Sequence, residues 1–160
     1  MRLRGTKVSG SSLLTLLGVV CFATVMVAAV LVTSGALDFG TTTVTNGSLS
    51  LSKTSSPASN IIGNPADYAF SANVGQQLTS ASLTIYINKT GILPGDLQSS
   101  EVDWNGAGQS SVTMNQNGAN SLMGTFSVGT VNSGSYTCII ELYYKNPGSY
   151  DVKVMMSGTA

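Results

Sequence analysis

The side chains in this sequence that could do chemistry are few: seven carboxylates, seven basic groups, two cysteines and no histidine. Asp96, Glu101 and Asp103 are the only acids close together, and with turn carbonyls around them they could offer a calcium ion an oxygen shell. Their spacing fits no calcium loop, so a solvated acidic edge is the plainer reading and no metal or cofactor site is expected. Serines are plentiful, yet none has a nearby base to activate it as a nucleophile. Without histidine or paired carboxylates at catalytic spacing, general acid–base chemistry and zinc hydrolysis lose their usual carriers, and the chain reads as a non-enzyme.

Two further residue types carry covalent possibilities. Asn46-Gly-Ser and Asn88-Lys-Thr are N-glycosylation sequons, which makes Asn46 and Asn88 candidate glycan carriers on an exported protein. Cys21 lies in an apolar run and Cys138 in a predicted strand far downstream, so they cannot bridge within one chain that crosses a membrane. Cys138 is expected to act as a small buried hydrophobe, with an intermolecular bridge as the alternative.

The element that must position everything else is the apolar run Leu13–Val32, which carries no charge between Lys7 and Asp38. At about 1.5 Å of rise per residue a helix over these residues spans roughly 30 Å, the thickness of a bilayer core. Arg2, Arg4 and Lys7 precede it, so the N-terminus is expected in the cytoplasm and the rest outside. Residues 1–12 thus form a basic n-region, 13–36 an apolar signal or transmembrane helix, and 37–160 one extracellular domain. Three fates remain open for the helix. Ser34-x-Ala36 is a small-x-small pattern that predicts cleavage between Ala36 and Leu37. The length of the run favours a retained anchor. The short basic leader favours a pilin-type cut ahead of the helix.

After Leu37 the hydrophobic period changes to two. Thr41–Thr45, Asn46-Gly47 and Ser48–Leu51 read as strand, tight turn, strand. Residues 52–66 read as loop. Further strands are expected at Tyr68–Val74, Ala81–Asn88, Glu101–Trp104, Ser111–Asn115 and Leu122–Val131. Tyr136–Lys145 and Tyr150–Ser157 alternate most clearly and read as a closing hairpin with one buried face. Some seven to nine short strands with turns every ten or so residues predict an all-β, antiparallel Ig-like or jelly-roll sandwich after the N-terminal helix. The exported part holds four lysines against seven acids, a net charge of −3. Scattered lysines on an acidic domain exclude nucleic acid as a partner.

Two resemblances follow from particular residues. Asn132-Ser-Gly-Ser-Tyr136-Thr-Cys138 resembles the E–F corner of immunoglobulin-like domains, which implies that the Tyr136 hydroxyl bonds back to the main chain two residues ahead of the core cysteine. An apolar leader, a small-residue cut site, Phe39-Gly40-Thr41 and Val44–Leu51 resemble the start of secreted prokaryotic surface-fibre and pilus subunits of the TasA and camelysin type, plausible in archaea as well. That resemblance implies a homopolymer in which the N-terminal segment, with Phe39, Val44, Leu49 and Leu51, is donated to the next subunit's sheet. The expected role is therefore a subunit of an extracellular filament, assembled by donor-strand exchange or by helix packing of residues 13–32. A membrane-anchored Ig-like binding module or adhesin is the alternative.

Overall fold

The computed structural model describes residues 31–33, 37–38 and 49–160, and for the first two stretches it gives backbone pairing alone. These residues build two antiparallel sheets. Strands β1 (Leu31–Thr33) and β2 (Leu37–Asp38) precede β3 (Leu49–Ser55), β4 (Pro65–Val74), β5 (Leu78–Asn88) and β6 (Leu97–Trp104). Then come β7 (Gln109–Ser111), β8 (Asn115–Gln116), β9 (Ser121–Val131), β10 (Gly134–Tyr144) and β11 (Asp151–Thr159). The first sheet runs β1-β11-β5-β9-β8, with β2 also on β11, and the second runs β3-β4-β10-β6-β7. Among the described residues the only helical element is one 3-10 turn, Pro94–Asp96, and no helix is long and apolar enough to cross a membrane. The apolar helix expected over 13–36 lies outside the described residues except at Leu31–Thr33, which is strand there.

Alternation places the core. Leu83, Ile85 and Ile87 of β5 are fully buried and face Ile140, Leu142 and Phe70 of the opposite sheet's strands β10 and β4 in one continuous apolar cluster. Phe70 is 1 % exposed and is the largest side chain among those fully buried. Cys138 is buried in the same cluster as an unbridged thiol, and desolvation pushes its pKa up to about 12. It behaves as a hydrophobe.

One side of the sandwich is closed by a strand that changes sheets. The expected strand 111–115 is split: β7 pairs with β6 in the second sheet, β8 pairs with β9 in the first, and Val112 and Met114 between them point inward. The Val112 amide donates to the Ser100 carbonyl at 2.8 Å, and the Ser100 hydroxyl donates back to the Val112 carbonyl. That reciprocal pair satisfies the polar atoms of a buried serine.

The closing hairpin read from the sequence is not formed. Strand β10 pairs with β4 and β6, whereas β11 pairs with β5 and the N-terminal strands, so residues 145–150 carry the chain from one sheet to the other. Both strands bury alternate residues, as expected, but they do so across the core from each other. The stretch 52–66 is also more ordered than a loop: Ser52–Ser55 complete β3 and Pro65–Ala66 begin β4. Its polar composition suits an outer strand whose last four residues are exposed.

Candidate functional site

Two regions of the sandwich combine residues singled out above. The first is the β11 edge. Leu31, Val32 and Thr33 pair with Thr159, Gly158 and Ser157, and Leu37 and Asp38 pair with Val154 and Lys153, all antiparallel. An unpaired outer strand is a row of main-chain donors and acceptors that another strand can join. Here the chain's own N-terminal segment occupies that row. The predicted cleavage point between Ala36 and Leu37 falls between the two short strands, with Ala36 itself outside the described residues. Phe39, Val44 and Asn46 lie outside them too. Leu49 and Leu51, expected to be donated in assembly, are 0 % and 2 % exposed on β3, opposite Val74 and Ala72, and belong to the protein's own core.

The second region is the pair of arches that join the sheets. At the β9–β10 arch the Tyr136 hydroxyl donates to the Asn132 carbonyl at 3.0 Å, four residues back, and its ring stacks on Trp104 with centroids 5.4 Å apart. At the β10–β11 arch the Tyr150 hydroxyl donates to the Asn146 carbonyl at 2.9 Å, again four residues back. The two pentapeptides are Asn132-Ser-Gly-Ser-Tyr136 and Asn146-Pro-Gly-Ser-Tyr150. Their glycines have nearly the same φ, 153° at Gly134 and 154° at Gly148. The chain thus uses one Asn-x-Gly-Ser-Tyr device twice, a recurrence that was readable in the sequence but is too short to register as a repeat. Removing one such bond costs about 1 kcal/mol. Tyr136→Phe is therefore expected to lower stability by about that amount in urea unfolding, with the fold unchanged.

The second arch is tied down further. Lys89 Nζ donates to Asp96 Oδ2 at 3.3 Å and to the Tyr150 hydroxyl at 3.1 Å. Asp96 also accepts from the Asn146 amide and, at 3.1 Å, from the Leu93 main-chain N–H, while its carbonyl accepts from the Lys145 N–H at 2.8 Å. Lys89 is thus part of a closed ring of four residues. The sequence hid this ring because its members lie 7, 50 and 61 positions apart. Asp96 does not join Glu101 and Asp103, and no group of three metal-ligating side chains exists among the described residues. Instead Glu101, Glu141 and Asp67 stand in register across β6, β10 and β4.

The ring makes stability pH-dependent with a definite sign. Donation from Asn146 first, then from Leu93 and Lys89, holds the Asp96 carboxyl below its ordinary value of 3.8. A depressed folded pKa gives stability that is present above the unfolded value and is lost as pH falls through the folded one. The Lys89 ammonium is shifted upward, chiefly by the Tyr150 hydroxyl, so its share is present at neutral pH and is lost only on the alkaline side. The expected result is that the denaturant midpoint of the native chain falls more steeply in acid than that of Asp96→Asn, the two curves drawing together as pH falls through the depressed pKa of Asp96.

Asn88, the described sequon asparagine, is the last residue of β5 and its amide nitrogen donates to Asp151 Oδ2 at 3.3 Å on the surface.

No family model and no curated protein matches this chain. Among solved structures, one described as "AvmM Catalyzes Macrocyclization in Alchivemycin A Biosynthesis" superposes with a TM-score of 0.52 at 8 % identity, covering 71 % of this chain and 75 % of that one. The two share a fold. At that identity nothing else transfers. A Podospora anserina GH26-CBM35 β-(1,4)-mannanase matches at a TM-score of 0.42 and 14 % identity, over 82 % of this chain and 28 % of the mannanase chain.

Proposed function

We propose that this chain is a structural subunit of an extracellular cell-surface filament, exported with its N-terminus in the cytoplasm and built into a homopolymer through its N-terminal region. In this reading the apolar stretch expected over 13–36 serves export, and the domain is an Ig-like sandwich carried outside. The observation that carries the proposal is the N-terminal segment laid along the β11 edge by main-chain pairing at five residues. A strand held this way is exchangeable, because the edge accepts the same backbone from a neighbouring copy as readily as from its own chain. Cleavage after Ala36 removes β1 and uncovers Ser157–Thr159 on β11, leaving a bare acceptor edge on one subunit. The freed segment from Leu37 onward is then the donor for the next, keeping its Leu37–Val154 and Asp38–Lys153 register but between subunits.

The register gives a direct test. In a Cys21→Ser, Asp38→Cys, Lys153→Cys chain, the two new cysteines occupy backbone positions that pair directly across β2 and β11. Oxidation of the native assembled protein should give a ladder of covalent multimers on a non-reducing gel, with Leu37 as the N-terminal residue on sequencing. Closure within single chains only, or electron micrographs showing the exported protein as monomers, overturns the proposal.

A further inference from the structure

A cleft of about 550 Å³ opens at the Asp151 end of the sandwich, between the 57–62 loop and the 146–150 arch. Its floor is the pair Tyr68 and Tyr144, whose hydroxyls are 3.1 Å apart, and Tyr144 is stacked on Tyr150 with centroids 4.2 Å apart. On its walls stand Asn60 and Asn146, and its rim carries Ile61 and Ile62, 72 % and 51 % exposed. We infer that this cleft is a binding site for a neutral glycan, taking one or two sugar units of an extracellular polysaccharide or glycoprotein.

Five observations carry the assignment. No carboxylate or ammonium lines the cleft, so nothing in it would recognise a phosphate, a sulfate or a metal ion. Burial raises the pKa of both floor tyrosines, so their hydroxyls stay neutral. Asn60 spends one amide hydrogen on the Asn64 carbonyl, at 2.9 Å, and Asn146 one on Asp96. An amide offers two donors and an acceptor, so each wall retains capacity for vicinal hydroxyls. Aromatic and isoleucine surface beside those amides matches a sugar ring, which has an apolar C–H face and a polar rim. Finally, the Lys89–Asp96–Asn146–Tyr150 ring fixes one wall in advance, and a site ordered before binding loses less entropy on association. The cleft falls in the ordinary size range of small-ligand sites.

This assignment stands apart from the filament proposal, since it concerns a different part of the sandwich from the β11 pairing and holds for a monomer equally. Saturation-transfer NMR on the purified full-length chain, with neutral gluco-, manno-, galacto- and N-acetylglucosamine tri- to pentasaccharides as probes and sialylated and sulfated glycans alongside, tests it. At least one neutral oligosaccharide should bind saturably with Kd of about 1 mM or tighter, and the acidic glycans should not gain from their charge. Asn60→Ala combined with Ile61→Ala should weaken that binding about tenfold or more at an unchanged thermal midpoint. Ala58→Trp, which fills the cleft from its rim, should abolish it. Should the double variant unfold, Ala58→Trp decides. Failure of every neutral oligosaccharide to bind at about 10 mM, binding undiminished in the folded variants, or preference for an apolar peptide over every sugar overturns the inference.

Discussion

Phe70→Ala should destabilise the domain by about 3–5 kcal/mol, the usual cost of emptying an aromatic site in a packed core. Phe70 sits on β4 opposite Cys138 of β10 and Lys53 of β3, in the middle of the second sheet, and its ring is 1 % exposed. The lost volume cannot be refilled by a loop, because the neighbours are strands held in register on both sides. A domain of this size has about 5–15 kcal/mol of stability in total, so the variant should be partly unfolded under mild denaturant. Urea unfolding followed by near-ultraviolet circular dichroism reads the loss. A change under about 1 kcal/mol would mean that the two sheets are not packed on each other as described.

Gly124→Val should cost about 2–3 kcal/mol through the opposite fault, too much volume. Gly124 lies in β9 beneath the segment that crosses between sheets. A Cβ there would collide with the Met114 sulfur, come within 2.7 Å of Val112 Cγ1 and within 3.1 Å of the Thr113 carbonyl. The side chains could yield, but the carbonyl belongs to the backbone of the crossing itself. Beyond the stability loss, the crossing residues should detach. Faster amide hydrogen exchange at Val112 and Met114 in this variant, with β4 and β10 unchanged, would show it. Gly124→Ala should show the same pattern more weakly.

Much of the architecture was legible because alternation is a local property. Leu83, Ile85 and Ile87 mark β5, and Tyr136 through Tyr144 mark β10, whatever strands they pair with. Pairing partners are a different matter. Asn146-Pro147-Gly148 is equally good chemistry for a hairpin and for an arch between sheets, and the buried face of β11 looks the same in both. What separates the two is the ring around Asp96, whose members are too far apart in sequence to form a pattern. Exposed outer strands such as Ser52–Ser55 were missed for a related reason: with little to bury, they carry no period. The acids at 96, 101 and 103 were close in sequence but were separated by the 3-10 turn, which directs Asp96 inward to Lys89 and leaves the others on β6.

The tyrosine-lined cleft was not visible from spacing at all. Tyr68 and Tyr144 are 76 positions apart, and residues 57–62 belong to the stretch 52–66, which reads from sequence only as loop. Ile61 and Ile62, two adjacent aliphatic residues in that polar loop, were the one signal available. A loop that exposes both has no packing reason to carry them.

The order in which the strands are made bears on when this protein can fold. Strand β10 holds the middle of one sheet, and β11 joins β5 to the N-terminal strands of the other. Neither layer closes until residues 134–159 have left the ribosome. During synthesis the earlier four-fifths of the chain can therefore form only partial sheets such as β3–β4 and β5–β9, and the sandwich is completed by its last two strands.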